Sequence, residues 1–191
     1  FVLVGLKQDT YSFSAMLAVF LMGLALGSGV IGMVADRLRT PLRAYGILLC
    51  LSAVAIAFSA VLLGVARIPI TTVDIIDIEK DSLRLPFYSV YVMAQTAVVI
   101  GLPTLLMGAT LPLGIKSVVS VRRIGEQVGW VYGFNTAGAI IGPIIACFLL
   151  IPLLGLRGSL VLLATIDLLF GITVIGYAGA SRFLRWSLGI A

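Results

Sequence analysis

Histidine is absent from this 191-residue chain, and charged residues make up only 11% of it. Without histidine there is no imidazole to act as a general base near neutral pH or to hold a metal. The two cysteines, Cys50 and Cys147, lie inside apolar stretches, so no disulfide framework is implied and each serves as a small apolar side chain. A phosphate-binding glycine loop, a nucleophile elbow and a glycine fingerprint following a strand are all missing. No water-soluble α/β segment remains that could hold a nucleotide or an S-adenosyl group. The chain therefore supplies no catalytic residue, no cofactor-binding residue and no metal ligand, and no cofactor is expected.

Apolar side chains are what the sequence has in excess, at 61% of residues. A soluble domain carries roughly 45–50% apolar and about 25% charged residues. Apolar surface on this scale cannot be hidden in a core of this size and must face lipid. Backbone polar groups in lipid have no water partner, so only helices or closed barrels can cross. The apolar runs are long and continuous rather than alternating at every second residue, which selects helices. The expected fold is all-α, one transmembrane bundle over residues 1–191, with about five spans at residues 12–34, 44–66, 87–115, 128–154 and 159–177.

Polar punctuation separates these spans. Asp36, Arg37, Arg39, Pro41 and Arg43 close the first. The one long polar stretch, residues 67–86, holds Asp74, Asp77, Glu79, Lys80, Asp81 and Arg84. Its alternation over residues 68–78 suggests a short extended or interfacial segment. The third span exceeds the roughly 20 residues a bilayer needs, and a kink at Pro103, a tilt or a start outside the membrane would each absorb the excess. Gly155 and Gly158 make a tight turn between the last two spans. Arg182, Phe183, Arg185 and Trp186 give the tail the character of an interfacial anchor. The opening at Phe1 reads as the end of an upstream apolar segment, so the numbered residues are expected to belong to a longer chain.

The net charge is +5, from 13 basic and 8 acidic residues. No dense basic stripe with interleaved aromatics is present, which argues against nucleic acid as a partner. In the five-span arrangement Arg37, Arg39, Arg43, Lys116, Arg122, Arg123, Arg182 and Arg185 share one side. Lys7, Arg67, Lys80, Arg84 and Arg157 lie on the other, with most of the acidic residues. Cytoplasmic loops collect lysine and arginine, so the Asp36 loop and the C-terminal tail are expected in the cytoplasm, and the protein in the cell inner (plasma) membrane.

Two helices carry small residues four apart, Gly23 with Gly27 and Gly138 with Gly142. Such pairs let helix backbones approach closely in lipid, either as fixed packing or as a sliding seam for transport. They are the expected helix-packing residues, and Gly138→Leu is expected to disrupt the bundle. The polar residues at membrane depth are Gln95, Asn135, Thr136 and Asp167. A carboxylate at the centre of a span costs about 2.5–3.5 kcal/mol on insertion scales, so Asp167 needs a partner or a proton. A proton or cation relay would pair Asp167 with Asn135. The alternative is a hydrogen bond from Asp167 to a neighbouring helix.

The stretch Gly32-Met-Val-Ala-Asp36-Arg37-Leu-Arg39 resembles the cytoplasmic loop motif of major-facilitator transporters. In that motif the acid can accept from helix amides while the basic residues hold the cytoplasmic face. A wider resemblance rests on residues 11–28 (Tyr-Ser-Phe-Ser-Ala-Met onward), on Pro103-Thr-Leu-Leu-Met-Gly-Ala-Thr-Leu-Pro112, on Val128-Gly-Trp-Val-Tyr-Gly-Phe-Asn135-Thr136-Ala-Gly138 and on Ile151-Pro-Leu-Leu-Gly155. These blocks, in order across residues 9–177, are similar to the membrane domain of spermidine synthase-like membrane proteins, also described as fused major-facilitator/spermidine synthases. The resemblance implies a helical membrane domain, often followed by a cytoplasmic aminopropyltransferase-like domain of methyltransferase fold. The acidic polyamine-binding residues of that domain have no counterpart in this chain. The sequence thus supports a non-catalytic membrane anchor or scaffold, with the lipid bilayer and either other membrane chains or a missing cytoplasmic domain as partners. The alternatives are a non-catalytic subunit of a larger membrane complex and a transporter-like half-bundle.

Overall fold

The computed structural model describes residues 9–65, 93–94, 96–119 and 123–187. Every regular element among them is helical, and none is a strand. In chain order these are α1 (Asp9–Ala35), α2 (Pro41–Val65), a π-helical turn (Ala97–Gly101), α3 (Leu102–Val118), α4 (Ile124–Ile145), a second π-helical turn (Ala146–Leu150) and α5 (Ile151–Ser187). Four helical stretches are long and apolar enough to cross a membrane: Phe13–Ala35, Pro41–Leu62, Ala97–Val118 and Ile124–Gly179. The last is divided at Gly155, which makes about five spans and an all-α membrane bundle. The expected extended segment over residues 68–78 lies outside the described residues.

Proline and glycine set the boundaries. Pro41 opens α2 at a position where its missing N–H would have no intrahelical partner in any case. The first helical bond follows at once, with Ala44 N–H donating to the Thr40 carbonyl at 3.1 Å. Each π-helical turn ends two residues before a proline, Pro103 after the first and Pro152 after the second. A proline cannot donate to the carbonyl four residues back, and its ring crowds that carbonyl. Local widening to a π turn is one way a helix absorbs the defect. Pro103 therefore perturbs the third span, as its sequence position suggests, while the matching effect ahead of Pro152 carries no hydropathy signal. Gly155 has φ 69° and ψ 171°, a left-handed conformation that a side chain resists, and it breaks the helical path there.

Three seams hold the bundle. Helix α1 runs parallel to α3, with Gly23 against Thr104, Gly27 against Leu105 and Ala109, and Gly108 against Leu24. Helix α2 runs antiparallel to α3, with Tyr45 against Gly114 at one end and Ser59 against Val99 at the other. Helix α5 runs antiparallel to α2, with Gly46 against Gly171 and Ile175, and Gly171 against Cys50. A buried cluster of Ala35, Leu48, Ala109 and Leu113 joins α1, α2 and α3, flanked by Ile31, Leu38, Ala44, Tyr45 and Leu106. The outward faces are covered with unburied Leu, Val, Ile and Phe, as a lipid-facing surface requires.

Helix α4 departs from the expected packing. None of its residues is buried. A Cβ built on Gly138 or Gly142 meets nothing within 4 Å, and the same holds for Gly133. The Gly138–Gly142 pair therefore seals no seam among the described residues, because no second backbone lies opposite it. The glycines at the α1–α3 and α2–α5 seams do that work, and of these only Gly23 and Gly27 stand out in the sequence as a four-residue glycine pair.

This packing makes a graded expectation. In Gly108→Ala the new methyl would sit 2.7 Å from the Cα of Leu24, a backbone atom that cannot swing aside. Overpacking of this kind costs about 1–3 kcal/mol. The thermal midpoint in detergent should fall for Gly108→Ala and stay within error for Gly138→Ala, which meets open space. Equal midpoints for the two variants would rule the α1–α3 seam out.

Candidate functional site

Among the described residues, polar side chains join helices at two places, and a third polar feature faces outward. The first is the end of the bundle where α1 and α3 both terminate. Lys116 Nζ reaches from α3 to the Ala35 carbonyl, at 2.5 Å, and to Oδ1 of Asp36, at 2.7 Å. The ammonium thereby caps the C-terminal end of α1, where free carbonyls and the helix dipole favour a cation. The Lys116 cation holds the Asp36 carboxyl below its usual range, through the hydrogen bond first and the charge second. The motif expectation thus needs revision. Asp36 accepts from Lys116 of a different helix rather than from helix amides, and Arg37 and Arg39 face outward.

The second place is the α2–α5 seam. Ser52 is 1% exposed, and its Oγ lies 2.8 Å from the Leu49 carbonyl of its own helix. The same oxygen contacts Oδ2 of Asp167, so the carboxyl of α5 is joined to a hydroxyl of α2. Asp167 therefore has a partner, and that partner is Ser52 rather than the Asn135 of the relay expectation. One helical turn on, Gly171 and Gly46 bring the two backbones together, which sets the reach from Asp167 to Ser52. A related bond joins α2 to the first π turn. Ser59 Oγ donates to the Val99 carbonyl at 2.5 Å and to the Ala55 carbonyl at 3.0 Å. Val99 is the residue four before Pro103, whose missing N–H deprives that carbonyl of its α-helical partner.

The third feature is the outward face of α4. Asn135 and Thr136 sit on it, unburied, and the Asn135 amide has no partner among the described residues. Trp130 and Phe134 stack one turn earlier, with ring centroids 5.8 Å apart and planes at 28°. Both rings face outward, at 63% and 71% exposure. Gln95, the remaining polar residue singled out from the sequence, lies outside the described residues.

Sequence reasoning missed Ser52, Ser59, Lys116 and the glycines Gly46, Gly108 and Gly171. A signal existed for some of them. Gly46 and Cys50 are four apart, as are Asp167 and Gly171, so small or polar residues recur at one-turn spacing on both helices. No group of three or more metal-binding side chains occurs among the described residues. What the arrangement can do chemically is join helices and carry a proton. No protein family, no curated protein and no solved structure matches the chain.

The Lys116 clasp has a defined pH signature. A carboxyl held low in the folded state stabilises the fold above its ordinary range, and the contribution fades as pH falls through the lowered value. Titrating the Asp36 carboxyl by NMR in wild type and in Lys116→Gln should show the midpoint rise toward the ordinary carboxylate value in the variant. An unmoved midpoint would mean that the ammonium is not at Asp36.

Proposed function

We propose that this chain is a non-catalytic membrane domain that acts as an anchor or scaffold, and that α4 is the face by which it meets further membrane helices. The observation that carries this reading is the state of α4. It is an apolar helix with no buried residue, yet among the described residues it carries Gly133, Gly138 and Gly142 over open space and an Asn135 amide without a partner. Small residues admit a second backbone, and an amide in lipid gains a hydrogen bond when a helix arrives. The resemblance to the membrane part of spermidine synthase-like proteins supports the same role, because there the helices accompany a cytoplasmic aminopropyltransferase-like domain.

On this reading the protein resides in the cell inner membrane with the Asp36 loop and the tail in the cytoplasm. The distribution of lysine and arginine supports that orientation. The packing is compatible with it, since Asp36, Lys116, Gly46 and Ile175 all lie toward one end of the bundle. The partner is either another membrane chain, which makes this a subunit of a larger complex, or a further part of the same protein.

The test separates packing within the bundle from packing against a partner. Gly138→Leu should leave the thermal midpoint of the purified chain unchanged, since its site is open. In the source membrane, cross-linking from cysteines placed along α4 should capture neighbouring helices, and Gly138→Leu should reduce that capture severalfold. An α4 that cross-links to lipid alone, with or without the substitution, would defeat the proposal.

A further inference from the structure

Hydrogen atoms can be counted at Ser52, and the count bears on Asp167. A hydroxyl has one hydrogen to give. Ser52 Oγ lies against two acceptors, the Leu49 carbonyl at 2.8 Å and the Asp167 carboxyl. If the carboxyl were an anion, that single hydrogen would be divided between them. Among the described residues the anion would then hold only a shared hydrogen bond in place of water. Neutral carbonyls tolerate such sharing, as Ala55 and Val99 do at Ser59. An anion taken out of water does not, unless a cation is close. Among the described residues no lysine or arginine pairs with Asp167. The packed helix brings Tyr45 toward Asp167 and Cys50 against Gly171 one turn on, and neither side chain is a cation.

The count closes when the carboxyl brings its own hydrogen. Asp167 then donates to Ser52, Ser52 donates to Leu49, and every donor and acceptor in the chain of bonds is used once. We propose that Asp167 and Ser52 form a proton-binding site in the seam between α2 and α5: the carboxyl is held as the neutral acid, donating to Ser52, and loss of that proton loosens the seam. The ligand of the site is the proton itself. The proposal stands on the α2–α5 geometry alone and is independent of any role for α4.

The experiment uses the full chain in lipid vesicles. The infrared difference spectrum between wild type and Asp167→Asn, taken at neutral pH, isolates this one carboxyl. A carboxylic-acid C=O band present in wild type and lost in the variant is expected. In Ser52→Ala the band should remain but shift, since its hydrogen-bond acceptor is gone. A carboxylate band in its place would overturn the proposal. Dicyclohexylcarbodiimide, an apolar reagent that attacks protonated carboxyls, supplies a readout on wild type alone should the variants not fold. Peptide mapping should find its adduct at Asp167, and an unlabelled Asp167 beside labelled control carboxyls would count against the site. For the seam, the thermal midpoint of wild type should fall as pH is raised above neutral. Asp167→Asn keeps a neutral donor and should not show that fall. Parallel falls in the two proteins would eliminate the proton as the seam's ligand.

Discussion

Lipid is as apolar as leucine, so two helices in a membrane gain little by hiding apolar side chains from it. What draws them together is close backbone contact and the few hydrogen bonds that lipid cannot offer. Every seam in this protein answers to that constraint. Gly108 lets α3 settle onto the backbone of α1 at Leu24. Gly46 and Gly171 face each other, so that α2 and α5 meet with almost no side chain between them. The buried cluster around Leu113 fills the space that these approaches leave. A glycine is not sufficient for such a seam, as α4 demonstrates: among the described residues its glycines have room for a neighbour and no neighbour.

The same solvent imposes a second demand, that each backbone carbonyl find a donor. Proline creates some of the exceptions, and polar side chains answer these and the open helix ends, besides joining α2 to α5 at Ser52 and Asp167. Ser59 supplies the Val99 carbonyl that Pro103 leaves without its α-helical donor. Lys116 supplies the last turn of α1 at Ala35. Both bonds also tie one helix to another, so meeting a local deficit and fixing the bundle are one act. The scarce polar groups here are structural connectors.

How far the sequence could be read depends on whether a property belongs to one helix or to two. Span positions follow from composition along the chain, and the end of α1 before Asp36, the start of α2 at Pro41 and the break at Gly155 fall where charged residues, proline and glycine interrupt the apolar runs. Pairing does not follow from such local cues. Gly23–Gly27 and Gly138–Gly142 are equivalent as patterns, yet only the first has a backbone across from it. Asp167 was visible as a residue in need of a partner, but Ser52, 115 positions away, is an ordinary serine until the helices are brought together. Lys116 likewise looks like a loop charge until α1 ends beside it.

Asn135 and Asp167 share a solvent and differ in what that solvent allows. A carboxyl can surrender its charge by taking a proton and can then act as a donor, so Asp167 is satisfied by one hydroxyl within its own bundle. An amide has no charge to surrender and no second state. It brings both a donor group and an acceptor group wherever it sits, and in hydrocarbon only another polar group can answer them. Within the described residues Asp167 has its partner and Asn135 does not. The carboxyl is thus an internal matter of the α2–α5 seam. The amide on α4, flanked by glycines open to a second backbone, is left without such an answer among the described residues.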